Sequence, residues 1–125
     1  MKSKWVQLGD KRILYMDLSN FHYDEAGLTI ELNQAISTLG QEMYQLPLHS
    51  VLVLVDLTDT KLTNTANQLL PERIADTKKY VAKTAVIGMT GIRGIFLEYF
   101  ARLAGSETVG FEKVDDGMKW LVETK

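Results

Sequence analysis

The sequence predicts an α/β fold: one mostly parallel sheet with an antiparallel hairpin at its N-terminal side. Residues 51–55 read V-L-V-L-V, a run typical of a strand buried on both faces, as in a parallel sheet covered by helices. Strand-like and helix-like segments alternate along the chain, which favours parallel strands joined by right-handed crossovers. The 125 residues contain no linker, repeat or low-complexity stretch, so we expect a single domain over residues 1–125.

The first part of the chain predicts a hairpin followed by a long helix. Short strands are predicted at residues 5–8 and 12–18, and the Gly9 and Asp10 between them are typical of a tight turn. A helix is predicted from Asp24, because apolar residues recur at steps of four and three along one face. These apolar residues are Leu28, Leu32, Ile36, Leu39, Met43 and Leu46. The proline at position 47 is expected to end this helix.

The second part of the chain alternates helices with strands. After the strand at residues 51–55 we predict a polar loop at 56–65 and a helix at 67–78. A strand at 84–89 and a helix at 91–104 follow, and then a strand at 108–111 and a closing helix from 115 onwards. Pro71 is placed in or near the first turn of its helix, where proline is best tolerated. Thr90 and Asp115 are the expected caps of the two later helices. The complete order is ββαβαβαβα.

Composition and charge narrow the function classes. The formal net charge is −2, so no basic face is offered to nucleic acid or to anionic lipid. The chain has no cysteine, which excludes disulfides, thiol catalysis and cysteine-based zinc sites. No signal-peptide pattern opens it, and its apolar runs are too short to cross a bilayer. We therefore expect a soluble cytoplasmic protein with no nucleic-acid partner and no integral membrane segment.

Polar side chains follow the predicted strands and define a candidate binding edge. In open parallel sheets, ligands bind beyond the carboxyl ends of the strands. The residues predicted to form this edge are Asp17, Asp56, Asp59, Thr60, Thr90 and Arg93. Loops need polar residues in any case, so the same pattern also fits an edge without a function. His22 and His49 are expected at opposite edges of the sheet, so neither a shared metal site nor a cofactor is predicted.

Two known kinds of site have residues similar to those of this edge. The glycines of residues 88–94 do not have the G-x-G-x-x-G spacing of a nucleotide loop, which favours close helix–sheet packing instead. Asp17, Asp56, Thr90 and Lys113 follow four strands, much as the site residues of receiver domains do. A receiver-like phosphoacceptor is therefore an alternative, although the adjacent pair of acids that usually holds Mg²⁺ is absent.

Four segments resemble the SpoIIAA-like branch of the STAS domain superfamily. They read I-L-Y-M-D-L-S, V-L-V-L-V-D-L-T, V-A-K-T-A-V-I-G-M-T-G and G-F-E-K-V-D-D-G-M-K-W-L, at residues 13–19, 51–58, 81–91 and 110–121. The resemblance implies a small bacterial α/β protein akin to anti-sigma-factor antagonists. In those antagonists a D-S-S-G-L loop carries a serine that a partner kinase phosphorylates. Here residues 56–60 read D-L-T-D-T, which makes Thr58 the candidate phosphoacceptor.

From these observations we expect a non-enzymatic domain that binds a protein partner or a small apolar ligand at the carboxyl edge of the sheet. One alternative is a carrier of an apolar ligand or lipid like the Sec14-type proteins, with Phe96, Tyr99 and Phe100 lining an apolar pocket. Another is a metal- or phosphate-handling enzyme that uses Asp17 and Asp56. The sequence leaves a homodimer open.

Overall fold

A five-stranded mixed sheet organises the chain. The computed structural model describes residues 1–88, 98, 101–102 and 107–123. The strands are β1 (Lys4–Leu8), β2 (Lys11–Asp17), β3 (Val51–Asp56), β4 (Val81–Ile87) and β5 (Glu107–Phe111). They lie side by side in chain order, with β1 antiparallel to β2 and every later pair parallel. The predicted α/β class, parallel sheet and N-terminal hairpin are therefore confirmed.

Helical segments cover both faces of the sheet. The α-helices are α1 (Glu25–Gln34), α2 (Asn64–Ala75) and α3 (Val114–Val122). α1 continues as a π-helix over Ala35–Leu39 and as a 3₁₀-helix over Gly40–Gln45. No helix among the described residues is long and apolar enough to cross a membrane.

The core is split by the sheet into two apolar layers. The larger layer packs α1 and α2 on one face, through buried residues such as Leu14, Leu32 and Leu70. The smaller layer packs α3 on the other face, through residues such as Leu54 and Leu121. β3 supplies both layers and all six of its residues are buried, as the V-L-V-L-V run predicts. The sheet therefore holds its carboxyl edge rigidly between two packed layers.

The first predicted helix differs from the structure in its second half. Asp24 caps α1 as expected, and its carboxylate accepts from the Gly27 N–H at 2.9 Å. The prediction of one α-helix as far as Leu46 is wrong, because the α-helix changes to a π-helix after Gln34 and to a 3₁₀-helix after Leu39. The indole of Trp5 donates to the Leu39 carbonyl at 3.1 Å at the end of the π segment, which satisfies one of the carbonyls left free there.

The second helix begins earlier than predicted. Thr63 is its cap, and its hydroxyl accepts from the Ala66 N–H at 3.1 Å, so α2 starts at Asn64 rather than at residue 67. Pro71 consequently lies inside the helix and not in its first turn. α2 also ends at Ala75, three residues before the predicted end.

The later elements show smaller differences. β4 starts at Val81, three residues before the predicted start, and ends at Ile87. α3 begins at Val114 with Lys113 as its cap, so the expected cap Asp115 is wrong and lies in the first turn. There its negative charge still complements the helix dipole. Most of the predicted helix over residues 91–104 lies outside the described residues. Its expected cap, Thr90, lies outside them as well.

Candidate functional site

The carboxyl ends of β2 and β3 place two predicted site residues side by side. Asp17 ends β2, Asp56 ends β3, and the parallel register pairs them directly. Each strand is followed by a loop, here called the first edge loop (residues 18–24) and the second edge loop (residues 57–63). The expectation that the parallel sheet brings the two aspartates to one edge therefore agrees with the geometry.

Asp56 is a buried carboxylate that is fully engaged in hydrogen bonds. It is 6% exposed. Its Oδ1 accepts from the Thr58 N–H at 3.0 Å and from the Thr58 hydroxyl at 2.7 Å. Its Oδ2 accepts from the Tyr15 hydroxyl at 2.8 Å. Both carboxylate oxygens are thus occupied, and the second edge loop is fastened to the end of its own strand.

Tyr15 connects this carboxylate to the α3 face of the sheet. Burial raises the pKa of its phenol well above the usual range, and the hydrogen bond to Asp56 raises it further, with the charges of Asp56 and Asp17 adding to the effect. Tyr15 therefore keeps its proton and acts as a donor. No sequence pattern points to Tyr15, because a tyrosine in a strand is ordinary and its partner lies 41 positions away.

Asp17 holds the first edge loop and a segment that precedes β1. Its Oδ1 accepts from the Ser19 N–H at 3.2 Å and from the Ser19 hydroxyl. The Lys2 ammonium lies 3.5 Å from the same oxygen and donates to the Ser19 carbonyl. The Asp17 N–H donates to the Ser3 hydroxyl at 3.0 Å. Asp17 is therefore a partly buried residue that holds Ser19 and Lys2 through Oδ1.

Glu31 of α1 fixes the same segment from the other side. Its carboxylate accepts from the N–H groups of Lys2 and Ser3, each at 2.9 Å, and is only 6% exposed. Burial on its own raises the pKa of this carboxyl, but the hydrogen bonds from Lys2 and Ser3, together with the charge of the N-terminal ammonium, leave the pKa below its ordinary value. No sequence pattern identified Glu31, since it sits between apolar positions of an amphipathic helix.

The two edge loops are hydrogen-bonded to each other. The Asn20 N–H donates to the Thr58 carbonyl at 2.8 Å, and the His22 N–H donates to the Asp59 carbonyl at 3.0 Å. Asn20, His22 and Asp59 all have positive φ, near 61°, 52° and 54°. Such conformations persist in non-glycine residues only where surrounding contacts enforce them. The edge is therefore a preformed surface.

The predicted edge residues divide into exposed and structural ones. The side chains of Thr58 and Asp59 are exposed at the tip of the second edge loop. Thr60 is 0% exposed, and its hydroxyl donates to the Leu18 carbonyl at 2.6 Å and accepts from the Phe21 N–H at 3.2 Å. Thr60 thus joins the loops and presents no group at the surface.

Five predicted site residues cannot be placed at this edge. Thr90 and Arg93, and the aromatic residues Phe96, Tyr99 and Phe100 of the apolar-pocket alternative, lie outside the described residues. His22 follows β2 and His49 precedes β3, so the two histidines lie at opposite edges. Within the part of the chain that the structure describes, no group of three potential metal ligands comes together.

Comparison with solved structures gives a likeness over nearly the whole chain. The similar structure is an uncharacterised protein of the DUF3478 family with a SpoIIAA-like fold, from Shewanella loihica PV-4. The superposition has a TM-score of 0.61 and covers 95% of this chain and 91% of that chain, at 15% identity. The chain has a SpoIIAA-like fold. No family model matches the SpoIIAA-like chain, and no curated protein is significantly similar to it in sequence.

Proposed function

We propose that the chain is a non-enzymatic regulatory domain that binds a protein partner at the carboxyl edge of its sheet, with Thr58 as the phosphoacceptor. The observation that carries the proposal is the chain of hydrogen bonds from Tyr15 through the buried Asp56 to the exposed hydroxyl of Thr58. Thr58 is accessible to a kinase, while the group that holds it is fixed in the sheet.

The fully engaged carboxylate of Asp56 supports a binding role over catalysis. A general base or a metal ligand needs a carboxylate oxygen that can reach the substrate or the ion. Asp56 has both oxygens in protein hydrogen bonds, and Asp17 is engaged by Ser19 and Lys2 through Oδ1. Tyr15 stays protonated and cannot serve as a nucleophile near neutral pH. These contacts support a role for the two aspartates in holding the edge loops in place.

Phosphorylation of Thr58 would change the edge in two ways. The phosphoryl ester removes the hydroxyl proton that Thr58 donates to Asp56, so that bond is lost. It also adds close to two negative charges beside Asp56 and the exposed Asp59. Repulsion then displaces the second edge loop, and the bond from the Asn20 N–H to the Thr58 carbonyl transmits the change to the first edge loop. An acidic partner surface would be repelled.

The first experiment is intact-mass analysis of the protein purified from its own cells, followed by peptide mapping. We expect a fraction carrying one phosphoryl group on Thr58. An unmodified protein under all growth conditions, or a phosphoryl group on another residue, would contradict the proposal.

The second experiment compares Thr58→Glu with Thr58→Gln in quantitative partner retention. The two side chains have nearly the same size and both lack the hydroxyl, so they differ in charge and in the donor capacity of the amide. We expect the glutamate variant to retain markedly less partner than the glutamine variant. Equal retention by both would exclude a charge-based switch, and thermal unfolding of each variant would show that the fold is kept.

A further inference from the structure

The α3 face of the sheet has an open groove at the β1 side. α3 packs on β3, β4 and β5, and a groove of about 550 Å³ lies between this helix and β1. Val6 and Leu8 of β1 and Met118 of α3 supply its apolar lining, and Leu8 is 39% exposed. The charged residues of α3 that line the same groove are Asp115, Asp116 and Lys119. The groove therefore has an apolar floor and a predominantly acidic wall.

The groove is bounded by an edge strand with unpaired backbone groups. Within the described residues β1 pairs with β2 alone. The two-residue turn after Leu8 makes Leu8 and Lys11 a hydrogen-bonded pair, and such pairs alternate along an antiparallel ladder. The N–H and C=O groups of Trp5 and Gln7 consequently point away from the sheet. Open edges of this kind accept a further strand.

The side chains of β1 complement the groove beside them. Because side chains alternate along a strand, Lys4 lies on the same face as Val6 and Leu8. Lys4 makes no ion pair with any described residue, and neither do Asp115 and Asp116. The strand thus offers two apolar side chains and a cation. The groove offers an apolar floor, two carboxylates and the ammonium of Lys119, so its charged wall is net negative.

We propose that two copies of the chain pair antiparallel through β1 and continue the sheet across a two-fold axis. Pairing centred on Val6 places Lys4 of the partner subunit opposite Leu8, at the groove that the two aspartates line. Every contact of such an interface except the one between the two Val6 residues on the axis occurs twice, because the same patch is used by both copies. A lysine on an edge strand ordinarily discourages pairing, but here the carboxylates across the groove offset its charge.

Sedimentation velocity of the full chain, from micromolar to near-millimolar concentration, tests the pairing. We expect a concentration-dependent species of twice the 14.1 kDa chain mass. A monomer throughout this range overturns the proposal, and the open edge of β1 would then be a site for a strand of another protein.

Gln7→Pro and Gln7→Ala form a matched pair for locating the contact. Both remove the side-chain bond to the Gly9 carbonyl, but only proline removes the outward N–H. We expect proline to weaken dimerisation at least about tenfold relative to alanine, since the loss occurs twice. Equal dimerisation by both variants would place the contact elsewhere and overturn the proposal.

Charge reversal gives a second test that does not change the backbone of β1. Lys4 is exposed, so Lys4→Glu leaves the fold intact and should weaken dimerisation through repulsion from Asp115 and Asp116. Combining it with Asp115→Lys and Asp116→Lys should restore the dimer. Failure of the combined variant to recover any association would contradict the assigned pairing.

Discussion

Replacing Glu31 by glutamine should destabilise the fold by about 2 kcal/mol at neutral pH. The wild-type carboxylate accepts the backbone N–H of Lys2 at Oε1 and that of Ser3 at Oε2. A glutamine amide has one accepting oxygen, so its NH₂ group must face one of these two donors. Hydrogen bonds to charged groups contribute about 1.5–3 kcal/mol. The Ser3 side is buried, so we expect the amide oxygen to stay there and the lost bond to be that of Lys2.

The effect should depend on pH in a defined direction. The pKa of Glu31 in the folded protein is lowered from its ordinary value of 4.5. Its ionised form therefore contributes stability that is fully present above pH 4.5 and is lost as the pH falls through the folded pKa. Once protonated, wild-type Glu31 resembles glutamine as a hydrogen-bonding group. The difference between the two proteins should consequently shrink in acid.

Urea unfolding at pH 7 and at pH values below the folded pKa measures both effects. Glu42→Gln is the matched control, because Glu42 is an exposed glutamate paired with Arg12 at 2.7 Å and should change stability by less than about 1 kcal/mol. A destabilisation for Glu31→Gln that is equal at both pH values would refute the assigned role of the ionised carboxylate. A destabilisation no larger than that of the control would refute the hydrogen-bonding argument itself.

Four further substitutions test the local structure and the core packing by chemical or thermal unfolding. Gly88→Ala should destabilise the fold by about 2 kcal/mol, because φ is +89° and the added Cβ would lie 3.2 Å from the backbone of Leu57. Gly9→Ala, also at positive φ but with no atom near the added Cβ, should cost about half as much. Equal costs would show that the close contact at Gly88 adds nothing. Tyr15→Phe should cost about 1 kcal/mol by removing the donor to Asp56, and an unchanged stability would show that this bond contributes nothing. Leu70→Ala should cost about 3 kcal/mol because the residue is 1% exposed, and a loss below 1 kcal/mol would contradict its place in the core.

The sheet could be predicted because its signals are local. The apolar run at residues 51–55 is buried on both faces in β3, and the Gly9 and Asp10 turn forms the hairpin. The neighbouring positions of Asp17 and Asp56 also follow from a general rule, since parallel strands end at the same edge. These predictions needed only the pattern of apolar residues, the residue types of one turn and the parallel direction of the strands.

The helix boundaries and the polar contacts of the site depend on tertiary structure. Residues 63–67 read T-N-T-A-N, so several residues could cap α2 equally well, and packing selects Thr63. The change to a π-turn after Gln34 leaves the apolar spacing of the helix almost unaltered, so the pattern does not reveal it. The bond that Asp56 receives from Tyr15 spans 41 positions, and the bond that Glu31 receives from Lys2 spans 29, and no motif connects these residues.

The proposed switch and the proposed dimer edge meet in the residues just before β1. Lys2 and Ser3 are tied to Asp17 at the carboxyl edge and to Glu31 on α1, and β1 begins at the next residue. The contacts that shape the first edge loop therefore also set where β1 starts. Because Asn20 of that loop is bonded to Thr58, a phosphoryl group on Thr58 acts on the same set of contacts. Loosening them would free the start of β1, so modification of the edge would weaken pairing through the strand even though the two surfaces share no residue.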